Sequence, residues 1–537
     1  MKKNIFKLLS LAVILAFASC TKEVEFHSDP YEEGKEQLAI VLDRGQVPSP
    51  SLGTPGIEVK IKATGLQAYR EKLKFYFNGQ IAEIVNVTDQ DITVKVPDFA
   101  SSGITYINVD DVVIYGPQFD VVGKIQLDPS WQALIGTNNN GSVNSYLETP
   151  DEKFIFVGSF TNYENRGLVK PINRLVRTFK NGNYDVSWRT GTGANGGLSS
   201  IVQIGSHYYI SGGFSGYDQR RDNISNLTRI HVTGQIDTMP VIPFRRPDQT
   251  DTIKYYPTFN GGFESYVNNI YNHDGKILAT GNFRYHINRI YGKPNFMETR
   301  DSVILDSTEI RNVARLNLDG TLDKTYRFNG GVALPGSNGN VNSYFHETGS
   351  LKGKLLVYGS FTRFDNTAVG YIARLNADGT LDQSFNPGGT GASFRVSNVT
   401  YNEVTGKYLA VGEFRTYNGV ASPKMVMLNS DGTIDNTFKV KAFEIGGPSF
   451  AQQLDDGLIV VSGPFNDYNG IVRKRFMILN SAGDLAPGLN TTGLVEGNIF
   501  KVVDTFSDDG RRALLLLGNF RKFDEYNPEN MIRIIIE

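Results

Sequence analysis

Two phrases in one stretch decide how this chain folds: Val357-Tyr358-Gly359-Ser360-Phe361-Thr362-Arg363-Phe364-Asp365 and, shortly after, Ala373-Arg374-Leu375-Asn376-Ala377-Asp378-Gly379-Thr380-Leu381-Asp382. The first is an apolar run that breaks at Gly-x-Phe. The second is a strand-like run ending in Asp-Gly, a dipeptide that favours a tight hairpin because glycine takes positive φ at no steric cost. Around them, residues 341–346, 354–361 and 371–376 read as three successive strands, and 378–385 turns into a fourth.

The pattern recurs on both sides. Gly-x-Phe ends an apolar run at Gly158-Ser159-Phe160, Gly212-Gly213-Phe214, Gly281-Asn282-Phe283, Gly359-Ser360-Phe361, Gly412-Glu413-Phe414, Gly463-Pro464-Phe465 and Gly518-Asn519-Phe520. Successive copies lie 51–55 residues apart, except for two intervals of 69 and 78. The turn phrase returns as Asn317-Leu318-Asp319-Gly320-Thr321-Leu322-Asp323 and Asn429-Ser430-Asp431-Gly432-Thr433-Ile434-Asp435, and has drifted to Asn480-Ser481-Ala482-Gly483-Asp484-Leu485 in the sixth copy. A unit of this size cannot bury its own sheet faces, so neighbouring units must stack, and four short strands per unit favour a ring of blades over a solenoid. The expectation is an all-β, seven-bladed β-propeller over residues 123–537. It should close with a clasp, because Leu127-Asp128-Pro129-Ser130-Trp131 has the fourth-strand signature before the first full unit, and the chain stops at 531–537 in a third strand. These units resemble the delta-60 repeat family.

Upstream of the repeats, residues 57–63, 73–77, 82–87, 92–96 and 105–109 alternate apolar and polar side chains, as strands with one buried face do. Thr54-Pro55-Gly56, Ile61-Lys62-Ala63-Thr64-Gly65-Leu66, Phe75-Tyr76-Phe77-Asn78-Gly79 and Val94-Lys95-Val96-Pro97 followed by Gly103 resemble the immunoglobulin-like IPT/TIG family. That resemblance implies a β-sandwich over 37–122, serving as a spacer or docking face.

The N-terminus reads as an export signal. Met1-Lys2-Lys3 begins a positive region, and the apolar run 8–18 is too short to span a bilayer, which takes about twenty residues. It ends in Phe17-Ala18-Ser19-Cys20, which resembles a bacterial lipobox; the lone cysteine then becomes the acylated first residue of the mature chain. Residues 1–19 are the expected signal peptide and 20–36 a charged tether. Thr21-Lys22-Glu23-Val24-Glu25 resembles the export signal of Bacteroidota surface lipoproteins, implying an outer-membrane protein that faces the cell exterior and meets the membrane through its lipid anchor.

Composition narrows the chemistry. Lys and Arg number 54 against 56 Asp and Glu, a net charge of −2, which argues against nucleic acid as a partner. A single cysteine excludes an internal disulfide framework and cysteine-rich metal sites. The six histidines, His27, His207, His231, His273, His286 and His346, form no His-x-x-x-His pair, and neither a Gly-x-Ser-x-Gly elbow nor a phosphate-binding loop is present. The repeated Asp and Asn residues read as turn formers that bond their own backbone, not as calcium loops. Trp131 and Trp188 occupy the repeat position of Phe385 and Phe438 and read as core. No catalytic residue, metal ligand or cofactor is assigned.

The long intervals place extra residues at about 239–262 and 284–311, between the fourth strand of one unit and the first of the next, and between a second and a third strand. Those connections share one face of a propeller. The insertions carry Tyr255, Tyr256, Tyr285, His286, Arg289, Tyr291 and Phe296, aromatic planes beside polar groups that suit a sugar ring. By resemblance to lipoproteins of glycan-utilisation systems, the expected function is binding of an extracellular polysaccharide beside an outer-membrane transporter complex. The competing readings are a protein-interaction or adhesion module, and a polysaccharide lyase or hydrolase whose carboxylates come from separate blades.

Overall fold

The computed structural model describes residues 38–137, 141–220, 223–241, 253–291 and 303–537. Within them the chain is all-β, apart from one 3-10 turn at Gln67–Tyr69. No helix among the described residues is long and apolar enough to cross a membrane. Cys20, the tether and Phe296 lie outside these residues.

Residues up to Val121 form eight strands in one pairing order, beginning Val41–Leu42, Glu58–Thr64, Asp91–Lys95, Gln80–Val87 and ending Leu73–Phe77, Gly103–Val109, Val112–Val121, Leu52–Gly53. Strict alternation along Glu58–Thr64 buries Val59, Ile61 and Ala63. They meet Phe75, Phe77, Ile107, Val109 and Phe119 from the other half of the array in a single core.

The rest of the chain is a β-propeller of sheets in sequence order. Each begins with an inner strand, such as Val143–Glu148, Gly197–Ile204 and Val267–His273. The inner strands of consecutive sheets touch, and that of the last, Val495–Phe506, touches Val143–Glu148. Among the described residues, an apolar cluster fills each interface between neighbouring sheets. This explains why each second strand is a continuous apolar run. In Lys153–Gly158, Phe154 and Phe156 face the last sheet while Ile155 and Val157 face the second. The Gly-x-Phe phenylalanines Phe160, Phe214, Phe283, Phe361, Phe414, Phe465 and Phe520 are all buried in these interfaces or beside them.

Ring closure uses the early strand. Ile125–Leu127 pairs antiparallel with Met531–Ile536, with Ile535 opposite Gln126. The pairing is locked by a fully buried ion pair between Arg533 and Asp128.

The expected fourth strand is a strand only there. In the other six sheets it shrinks to one bridge, as at Leu375–Leu381 and Leu428–Ile434. In four of these sheets an aspartate follows the bridge and caps a local turn. Asp382 Oδ1 accepts from the Ser384 N–H at 3.0 Å and from the Ser384 hydroxyl at 2.6 Å, a local turn that takes the backbone out of the ladder. Asp185, Asp323 and Asp435 do the same with Ser187, Thr325 and Thr437. The turn glycines ahead of them, Gly182, Gly234, Gly320, Gly379, Gly432 and Gly483, have φ of 84–100°.

The other oxygen of each aspartate holds the sheets together. Asp185 pairs with Arg177 and Lys153, Asp323 with Arg315 and Lys276, and Asp382 with Arg374 and Lys354. The guanidinium lies over an aromatic ring three residues beyond the aspartate: Arg177 over Trp188, Arg315 over Tyr326, Arg374 over Phe385 and Arg533 over Trp131. It then donates to a turn carbonyl of the next sheet, Arg229 to Leu318 at 3.1 Å and Arg533 to Lys180 at 3.0 Å. Trp131 and Trp188 are thus structural.

Candidate functional site

Both insertions rise on the face that carries the connections from second to third strands. Thr238–Val241 pairs with Lys254–Pro257, and Gly261–Phe263 joins Tyr285–Ile290 and Ile304–Glu309 in a small sheet. The N-terminal unit docks on the same face at another sector, through connections of the sixth sheet. Ser102 N–H donates to Thr491 O at 2.8 Å, Lys474 Nζ to Asn78 Oδ1 at 2.8 Å, and Arg473 to Phe99 O at 2.9 Å.

The structure divides the residues expected at the ligand site. Tyr255 is 53% exposed and Tyr285 is half-buried, with the Arg284 guanidinium 5.3 Å from its ring centre. The others serve the insertion itself. Tyr256 is buried and stacks on Tyr291 at 5.0 Å between ring centres, and the Tyr291 hydroxyl donates to Pro257 O at 2.9 Å. Arg289 is buried and donates to Ser225 Oγ at 2.7 Å. His286, 2% exposed, has Nε2 2.9 Å from Gly320 O. Burial pushes its pKa down, which keeps the ring neutral; in that tautomer Nε2–H donates to the Gly320 carbonyl.

That last contact has equivalents around the ring. Tyr217 and Tyr468 donate their hydroxyls to the turn carbonyls of Gly234 and Gly483 at 2.6 and 2.7 Å, and Tyr417 to Gly432 at 3.0 Å. Tyr163 does so to Gly182. In the fourth sheet the residue is Phe364, and Arg327, stacked over it, donates to Gly379 O at 2.7 Å instead. His286 therefore fills a structural position that the insertion would otherwise leave without a donor. It is not a surface ligand group.

Beside the Tyr255 hairpin the same face opens into two adjoining clefts that share Asp218. One, of about 430 Å³, is lined by Asn173, Thr192, Asn195, Asp218, Gln219 and Arg220 among others. The second, of about 480 Å³, brings Arg166, Lys170, Arg189 and Tyr184 to Asp218. Arg220 links cleft to hairpin by donating to Tyr255 O. The walls are fixed: Asp218 Oδ1 accepts from Thr192 N at 3.0 Å, and Asn195 Oδ1 from Ser215 and Gly216 N–H at 3.0 and 2.9 Å. Four cations face one carboxylate here. The arrangement can hold hydroxyls and anionic substituents. These residues escape a search for insertions because their loops have ordinary length. The available signal is substitution: Tyr217-Asp218-Gln219-Arg220 stands where later repeats read Tyr417-Asn418-Gly419 and Tyr468-Asn469-Gly470.

Residues 16–117 match a family described as a domain of unknown function, DUF5008. Residues 353–385 and 405–438 match one described as a domain of unknown function, DUF5122, beta-propeller. No curated protein matches the chain. Among solved structures it is similar to the computationally designed Ika8 protein, at 9% identity and a TM-score of 0.34, over 82% of this chain and 92% of that one. It is also similar to an auxiliary nutrient binding protein from Bacteroides ovatus, at 11% identity, a TM-score of 0.29 and 92% and 99% coverage. Another so described, from Bacteroides thetaiotaomicron, shows 10% identity, a TM-score of 0.31 and 92% and 98% coverage. At that distance neither ligand nor activity passes from these proteins to this chain.

Proposed function

We propose that this chain is a lipid-anchored protein of the cell surface, acylated at Cys20, whose propeller face binds an extracellular polysaccharide without cleaving it. The observation that carries the reading is the double cleft around Asp218, polar in its lining and cationic in its balance, with the exposed Tyr255 ring beside it. Amide, hydroxyl and guanidinium groups recognise sugar hydroxyls, and an exposed aromatic plane stacks on a sugar's apolar face. The excess of Arg166, Lys170, Arg189 and Arg220 over one carboxylate favours polymers with carboxylate or sulfate groups. The N-terminal unit, IPT/TIG-like by its Thr54-Pro55-Gly56 and Phe75-Tyr76-Phe77-Asn78-Gly79 phrases, serves as the spacer between anchor and propeller. Delivery to an outer-membrane transporter complex completes the proposed role.

The test is affinity electrophoresis of the protein through gels containing neutral or acidic polysaccharides. Retardation by an acidic polymer is expected, with the triple variant Gln219→Ala, Arg220→Ala and Tyr255→Ala binding at least about tenfold more weakly, the loss of roughly 1.4 kcal/mol. Retention of full affinity by the folded variant would remove the clefts from the account.

A further inference from the structure

On the opposite face of the ring, the second sheet departs from its sisters at three positions around one aspartate. Where four other sheets begin the second strand with Lys153, Lys276, Lys354 or Lys407, this one has His207. Where others start the turn with Asn317, Asn376, Asn429 or Asn480, it has His231, whose N–H makes the same turn bond, to Gln235 O. Two residues beyond the aspartate, where others place a Ser or Thr hydroxyl on Oδ1, it has Met239.

The three changes act on the same point. His207 and His231 stand directly opposite each other in the ladder, with ring centres 5.3 Å apart. His231 Nε2 lies 3.4 Å from Asp237 Oδ1 and His207 Nε2 lies 3.8 Å from Asp237 Oδ2. Arg229 engages Oδ2 at 2.6 Å, and Met239 has no hydroxyl to offer Oδ1. One donor atom from each of the three residues lies within 4.8 Å of the other two. A tetrahedral ion with ligands at about 2.1 Å has its ligand atoms about 3.4 Å apart, so small side-chain rotations close the site.

We propose that His207, His231 and Asp237 bind a divalent transition-metal ion of the zinc class, with solvent in the fourth position. Two imidazoles and one carboxylate select such ions over calcium or magnesium, which take oxygen ligands. The Ser206 hydroxyl is 3.3 Å from His207 Nδ1, fixing the ring that presents Nε2. His231, 45% exposed on its side chain, leaves the ion a path from solvent.

The repeats supply the controls. His207→Lys and His231→Asn each install the residue that sister sheets carry at that position, so the fold is kept while a ligand is removed. Isothermal titration of the untagged chain with Zn²⁺ alone should give one site per chain. Each variant should bind more than about tenfold more weakly, with its metal-free melting temperature close to that of the parent. Absence of binding by the parent chain, or binding that neither variant weakens, would overturn the proposal.

Discussion

Tyr217, Tyr417 and Tyr468 show how one hydroxyl serves a whole sheet. Each is fully buried and satisfies a turn carbonyl that would otherwise be buried without a donor. The exceptions support this reading. Phe364 lacks the hydroxyl and Arg327 supplies the donor, while Phe523 sits in the sheet whose fourth strand comes from the N-terminal side and has no such turn. Tyr217→Phe should therefore destabilise the protein by about 1–3 kcal/mol in denaturant unfolding. Arg327→Ala should cost more, about 3–5 kcal/mol, because it also strands Asp365, to which Arg327 is paired at 2.6 Å. None of this was visible as a site. His286 looked like a ligand group in sequence because the insertion hides that it occupies the tyrosine's place.

At the scale of the element, the aspartates cap the turn after the short fourth strand and carry the ion pairs through which sheets join. The signal was present in the sequence: Arg177 and Asp185, Arg229 and Asp237, Arg315 and Asp323, and Arg374 and Asp382 are each eight residues apart. Read as turn formers alone, they predicted the turns and missed the ion pairs. Burial raises the Asp185 pKa, but hydrogen bonds from Ser187 and the Arg177 charge outweigh it and leave the value at about 2. Asp323 and Asp382 are lowered further by the same kinds of partner. A depressed carboxylate contributes stability above its unfolded pKa, and that stability is lost as pH falls through the folded value. The parent chain should thus lose stability steeply as pH drops from about 4 toward 2. Asp185→Asn should be less stable at neutral pH and lose less on acidification, measured by denaturant midpoints across that range. For the clasp, Arg533→Ala removes one half of the buried pair with Asp128 and should cost about 3–5 kcal/mol, read in the same way.

At the scale of the molecule, the repeat, the all-β class and the clasp were legible because they rest on periodicity and on a fourth-strand phrase that recurs at 127–131, ahead of the first full unit. The ligand face was legible only in part. Length flagged the insertions, and they do share one face and pair with each other. Yet Tyr256, His286, Arg289 and Tyr291 hold the insertion up, and the cleft residues beside it come from loops of ordinary length. Which side chains of a loop turn inward depends on neighbours brought from distant repeats, and no local pattern records that. Because the cleft is cationic, binding to an acidic polymer should weaken as salt rises, whereas a neutral glycan would show little change.

The central claim, binding without cleavage, is tested most directly by incubating the protein with acidic polysaccharides while measuring retention on the polymer and release of reducing ends. Retention that falls with salt, is lost in the Gln219, Arg220 and Tyr255 triple variant and leaves the polymer intact is the predicted result. Release of reducing ends by the parent chain, or retention that the triple variant leaves unchanged, would contradict it.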